Sequence, residues 1–188
     1  MKKFLIVGLG NIGPEYEETR HNIGFKIIDT LNTDLAGSYE EVKHGSLSQV
    51  RYKGRELFLL KPNTYMNLSG KAVSYWMQQE KIGLDGLLIV TDDLNLPFGT
   101  LRIKAKGSDG GHNGLKDIQA RLGTIYYPRF RFGIGADFSK GQQVDYVLGS
   151  WDSTEKEQLG ERLTKASEAI KTFVFNGLEA TMNTFNNT

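Results

Sequence analysis

The chain contains no cysteine, which excludes disulfides, thiol catalysis and cysteine-ligated zinc or iron–sulfur sites without fixing the compartment. It has three histidines, His21, His44 and His112, and no two of them have the close helical spacing of a zinc motif. No metal or cofactor is therefore expected. Nor does any apolar run approach the roughly 20 residues that a bilayer span needs. The start, MKKFLIVGLGN, has too short an apolar stretch and too many early glycines for a secretory signal, so a cytoplasmic protein with no membrane contact is the simplest expectation. A G-x-S-x-G elbow is also missing, since the residues around Ser108 read KGSDGG. That removes the obvious serine nucleophile. There is no internal repeat, low-complexity tract or linker, and with 188 residues of which 39 % are hydrophobic, one domain spanning 1–188 is expected.

The net charge of +1 is small, yet between Arg102 and Lys140 eight basic residues face only three acidic ones. Such a run is most simply a solvated face, but among glycines it also suits a polyanion such as nucleic acid.

Phe4-Leu5-Ile6-Val7, closed by Gly8 and Gly10, reads as a central strand buried on both faces. Gly8, Gly10 and Gly13 match the spacing of a dinucleotide fingerprint, which requires a helix directly after the turn. Pro14 follows instead, and Ile27, Ile28, Leu31 and Leu35 place the helix between Gly24 and Leu35. Asn11, Arg20, His21 and Asn22 keep a functional site open there. Ser46–Tyr52 and Glu56–Leu60 suit a hairpin across Lys53-Gly54, with Tyr39–Lys43 polar and indistinct before it. Asn67 comes near the start of a helix marked by Ala72, Val73, Trp76 and Met77, where a cap or turn is its plainer role.

Gly86–Thr91 is a second buried strand that runs into Asp92-Asp93. One carboxylate suits a turn; Asp92, closer to the strand end, is the better site candidate. Gly99–Lys104 and Arg129–Ile134 suit strands, and His112-Asn113 ends a glycine loop before a helix at Leu115–Leu122. Thr154-x-x-Glu157 reads as a capping box opening a long helix that stops at Gly177, with a short helix over Leu178–Phe185. If the strands ending near Asn11, Asn67 and Asp92 are parallel neighbours, those side chains share one sheet edge with His21. A histidine beside a carboxylate is an oriented general base, and water is then the attacker, with Asn11, Asn67 and Asn113 as amide donors.

The segments GLGNIGPEYEETRHNIG, TYMNLSGKAV, DDLNLPFGTLRIK, GSDGGHNGLKDI and RFRFGIG resemble, in order and spacing, the motifs of bacterial peptidyl-tRNA hydrolase. The resemblance implies an α/β fold similar to phosphorylase/hydrolase-like proteins: one globular domain whose twisted, mixed, largely parallel sheet carries helices on both faces. It implies a monomeric, metal-independent enzyme of translation that cleaves the ester between a peptide and the 3′-terminal ribose of tRNA. His21 would be the base and Asp92 its partner; Asn11, Asn67 and Asn113 would bind the peptide and acceptor end, and Tyr16 and Met66 would shape the cleft. His112 would assist substrate binding, and Lys104 and Arg131 would contact the phosphates of the acceptor stem, with the CCA end in the cleft. Two positions depart from that pattern: Asn11-Ile12-Gly13 replaces Asn-Pro-Gly, loosening a rigid turn, and Asn95 replaces an aspartate. The competing readings are an RNA-binding module on the same fold and, from the glycines alone, a nucleotide-dependent oxidoreductase.

Overall fold

A computed structural model describes residues 1–188. In chain order the elements are β1 (Lys3–Gly8), α1 (Ile23–Asp34), β2 (Glu40–Val42), β3 (Gly45–Tyr52), β4 (Arg55–Pro62), α2 (Ser69–Glu80), β5 (Leu87–Asp93), β6 (Leu101–Lys104), α3 (Asn113–Leu122), β7 (Arg129–Gly133), α4 (Gln143–Val147), α5 (Ser153–Asn176) and α6 (Leu178–Phe185). The sheet order is β2-β3-β4-β1-β5-β7-β6. Strands β4, β1, β5 and β7 are parallel, and the outer strands pair antiparallel.

The apolar runs of β1 and β5 are continuous because both faces of the sheet are covered. Phe4 and Ile6 of β1, with Leu88 and Val90 of β5, join the core beneath α1 and α5. Leu5 and Val7, with Leu87 and Ile89, join the other core, with residues of α2 and α3. Each such side chain is worth about 1.5–3 kcal/mol of burial, so alternation fixes the register of the central strands.

Gly8 at the end of β1 and Gly24 in α1 serve packing. A Cβ on Gly8 would lie 2.3 Å from the Gly24 carbonyl oxygen, and one on Gly24 would lie 2.6 Å from the Leu9 nitrogen. Their absence lets α1 close onto the end of β1. The segment after Gly13 forms two 3-10 turns, Pro14–Tyr16 and Arg20–Asn22, before α1 begins. A dinucleotide fingerprint has no helix to rest on here.

The expected hairpin is present, with Lys53 and Gly54 both at positive φ in the turn. Three local readings differ from expectation. Glu40–Val42, polar and indistinct by sequence, is the short edge strand β2. The box opening α5 is Asp152 with Glu155, two residues before the Thr154 frame, and both reciprocal bonds form there. Asp152 wins because Glu155 also meets a buried arginine, described below. The short helix α4, with Val144, Val147 and Leu148 at helical spacing, was not expected from the sequence.

The edge strand β6 is covered by the C-terminal residues. Asn186 hydrogen-bonds both the nitrogen and the oxygen of Ile103, and the Asn187 nitrogen donates to the Leu101 oxygen. Pairing of this kind blunts an edge that another chain would otherwise extend. No helix is long and apolar enough to cross a membrane.

Candidate active site

The parallel order β4-β1-β5 places the carboxyl ends of those strands side by side, where such sheets bind ligands. A cleft of about 530 Å³ opens there, lined among others by Asn11, His21, Met66, Asn67, Asp92, His112, Asn113 and Arg131. That is eight of the ten residues singled out from the sequence. Tyr16, in its 3-10 turn, and Lys104, exposed at the end of β6, are not among the lining residues; Tyr65 is, and it is exposed.

Asp92 is buried at the end of β5, and its two oxygens face two histidines. Oδ2 is 2.8 Å from His21 Nδ1, and Oδ1 is 2.8 Å from His112 Nε2. Burial alone would raise the Asp92 pKa, but the charges of the two imidazoles and their hydrogen bonds hold the carboxyl far below its usual range. An ionised carboxylate only accepts, so His21 carries its proton on Nδ1. Nε2 of His21 is then a lone pair with no partner in the chain, on a ring that lines the cleft. Burial pulls the His21 pKa down, but the charge of Asp92 and its hydrogen bond outweigh that and raise it above the ordinary histidine value.

Asp93 has the turn role. It accepts from the Asn95 nitrogen at 2.8 Å and lies 3.5 Å from Arg131 Nη1.

His112 caps α3. Its Nδ1 accepts from the backbone nitrogens of Gly114, at 3.1 Å, and Leu115, at 3.3 Å, and its Nε2 also lies 2.7 Å from Thr91 Oγ1. The loop before it is held by Arg129 and Arg131, which both donate to the Ser108 carbonyl. Arg131 is thus engaged within the chain, although its side chain still lines the cleft.

Ligating atoms of His21, Asp92 and His112 lie within 4.8 Å of one another, a spacing a metal ion could use. In the arrangement seen, the imidazole nitrogens that face Asp92 are engaged in hydrogen bonds to its carboxylate.

Asn11 is positioned by Asn22, which the sequence placed near the site without a role. The Asn22 side chain accepts from the Asn11 backbone nitrogen and donates to the Asn11 carbonyl, each at 2.9 Å, and Asn22 is almost fully buried. This clamp fixes the Asn11 backbone although Ile12 leaves the turn without a proline. The Met66 backbone nitrogen donates to Asn11 Oδ1 at 2.9 Å, which identifies the oxygen end of the amide and leaves the Nδ2 end as the remaining donor. Asn67 and Asn113 are exposed on the cleft wall. The helices that begin beside them are tied together, because Asp117 of α3 accepts from the Gly70 nitrogen at the start of α2, at 2.7 Å.

On the other side of His21, Arg20 is buried and donates to Glu155 at 2.8 Å and to the Tyr146 carbonyl at 3.2 Å. Its guanidinium also lies over the Tyr146 ring. The 3-10 turn bearing His21 is therefore tied to the start of α5 by the residue before it and to the end of β1 by the residue after it. The partner of Arg20 is not visible in sequence, because Glu155 lies 135 positions away. Arg20→Met would leave the Glu155 carboxylate buried and unpaired, and should cost about 3–5 kcal/mol of stability. Urea unfolding would measure it, and a loss below about 1 kcal/mol would mean the pair is not buried in solution.

Comparison with known proteins gives the chain its relatives in sequence and fold. The family profile for peptidyl-tRNA hydrolase matches residues 5–188. A peptidyl-tRNA hydrolase of Parabacteroides distasonis is 55 % identical over 185 residues, covering 98 % of this chain and 99 % of that protein. One from Porphyromonas gingivalis is 55 % identical over 184 residues, covering 98 % of this chain and all of the relative. The crystal structure of peptidyl-tRNA hydrolase from Acinetobacter baumannii superposes with a TM-score of 0.91 at 34 % identity, covering 97 % of this chain and 95 % of the other. A fold, a cleft and a full-length sequence match converge, and the chain belongs to the peptidyl-tRNA hydrolase family.

Proposed function

We propose that this protein hydrolyses the ester joining a peptide, or an N-blocked aminoacyl group, to the 3′-terminal ribose of tRNA. The observation that carries the reading is the bond between His21 Nδ1 and Asp92 Oδ2, which leaves Nε2 as the open base in the cleft. His21 Nε2 takes a proton from water as the water attacks the ester carbonyl. Asp92 stabilises the imidazolium that forms, and the amides of Asn11, Asn67 and Asn113 donate to the carbonyl oxygen as it gains charge. The proton held by His21 then passes to the departing ribose oxygen. An activated ester needs only a base and an oxyanion donor.

The cleft suits a single-stranded CCA end, with exposed Tyr65 at its wall available to stack on a base. Lys104 and Lys106 are exposed beyond it, and Lys106 lies over the ring of Tyr126. They suit the phosphates of the acceptor stem, which fix position without reading sequence. Lys104→Ala should weaken tRNA binding across all tRNAs and lower the salt slope by roughly one unit or less. An unchanged slope would place the stem elsewhere. Arg131→Ala should have a different signature, because this guanidinium holds Ser108 and faces Asp93.

Incubation of the purified protein with N-acetyl-aminoacyl-tRNA tests the reading. Release of free tRNA is expected; tight binding without release would favour an RNA-binding module on this fold.

A further inference from the structure

We infer that His112 is a positioning residue whose proton is placed by the N-terminus of α3, so that two backbone amides determine which nitrogen of His21 is bare. The inference rests on the proposed hydrolysis at His21 and goes beyond it, since it concerns how that base acquires its tautomer.

The argument follows the hydrogens outward from the helix. Gly114 and Leu115 are the second and third residues of α3, and their N–H groups have no carbonyl partner within the helix. Both point at His112 Nδ1. A nitrogen that accepts from N–H groups carries no hydrogen, so the single proton of the neutral ring is on Nε2. From there it is donated to Asp92 Oδ1, with Thr91 Oγ1 also within 2.7 Å. Protonating Nδ1 would turn it toward two donors beside the positive end of a helix. The ring is thereby confined to one tautomer, and it presents a donor to Asp92 that cannot become an acceptor.

Asp92 consequently has one oxygen committed to His112 and one left for His21. The carboxylate stays an acceptor at both ends, His21 keeps its proton on Nδ1, and the lone pair falls at Nε2. His112 also withdraws some of the charge that Asp92 presents to His21. The ionisable groups around His21 come from several elements. Asp92 extends from β5, and His112 precedes α3 with its ring centre 5.1 Å away. Asp93, Asp109 and Arg131 lie farther along the cleft wall, and Arg20 beside it is paired with Glu155.

Two measurements test this. In the wild-type protein, ¹⁵N-labelled histidine spectra should show His112 with a bare Nδ1 and a protonated Nε2, and neutral His21 with the opposite arrangement. A proton on His112 Nδ1 would overturn the inference. This spectrum needs no substrate, so it separates a failure of the lock from a failure of His21 as the base, which the alanine variant of His21 tests.

The second measurement uses His112→Asn. Asparagine is among the best helix caps, so it keeps the bonds to Gly114 and Leu115, but its shorter side chain removes the donor to Asp92. Loss of one hydrogen bond to a charged group should lower kcat about tenfold while KM stays within about twofold. Asp92, less neutralised, should favour protonated His21 more strongly, and the acid limb of kcat/KM should move to higher pH. A raised KM with an unmoved limb would overturn the inference and make His112 a substrate contact. Full activity with an unmoved limb would overturn it too, leaving a cap and nothing more.

Discussion

His21→Ala should lower kcat by at least ~10²-fold, and by as much as ~10⁴-fold, with little change in the binding of tRNA. The size follows from what the side chain does. It is half-buried at the cleft wall, and its one hydrogen bond within the chain is to Asp92. The 3-10 turn that carries it is held by Arg20 and Asn22 through their own partners, so removing the ring should leave the backbone in place. Asp92 would retain His112 and Thr91. Water would still reach an ester held by the asparagines, yet nothing near it would take its proton. A variant that turned over at near the normal rate would remove His21 as the base. One that lost tRNA binding in proportion to turnover would make it a binding residue.

Asp92→Asn should rank second in effect, at about 10²- to 10⁴-fold in kcat, and for a reason more particular than loss of charge. An amide offers one oxygen and one NH₂ where the carboxylate offers two acceptors. His112 and His21 both present N–H to residue 92, and they cannot both be served. The proton of His112 is held in place by Gly114 and Leu115, so the oxygen should turn to His112 and the NH₂ to His21. His21 must then accept at Nδ1 and move its proton to Nε2, which blocks the lone pair that faces the cleft. The variant should keep only weak residual activity although every heavy atom stays near its place. Near-normal kcat in a correctly folded Asp92→Asn protein would break the link between tautomer and rate.

Much of this site was legible in the sequence, and what was hidden follows from chain separation. Two apolar runs ending in polar residues were enough to locate Asn11 and Asp92, because a fully buried strand leaves few alternatives for its faces. The choice of Asp92 over Asp93 rested on the strand end, and the structure gives Asp93 to a turn. The sheet order was only conditional, since no local signal says that β4, β1 and β5 are neighbours. Asn22 escaped notice as a clamp because it acts on backbone atoms of a residue eleven positions earlier. Arg20 with Glu155 and His112 with α3 escaped for related reasons: charge patterns show neither a buried partner far along the chain nor the tautomer of a ring. The glycines after β1 were ambiguous because close packing of helix on strand and close approach to a phosphate require the same missing Cβ. Thr154 misled because two overlapping frames share the capping pattern, and the buried Arg20 decides between them.

The pH dependence of kcat/KM with N-acetyl-aminoacyl-tRNA, measured on the wild type and on Asp92→Asn, is the most direct test of His21 as a base tuned by Asp92. His21 must be neutral to act, so wild-type activity should rise with pH through a single acid limb above the ordinary histidine value of about 6.5, as expected from the raised pKa. Without the charge of Asp92, burial alone remains and pulls the pKa down, so the weak residual activity of the variant should show its limb at lower pH. A wild-type profile flat across that range, or a limb at the same pH in both proteins, would contradict the assignment.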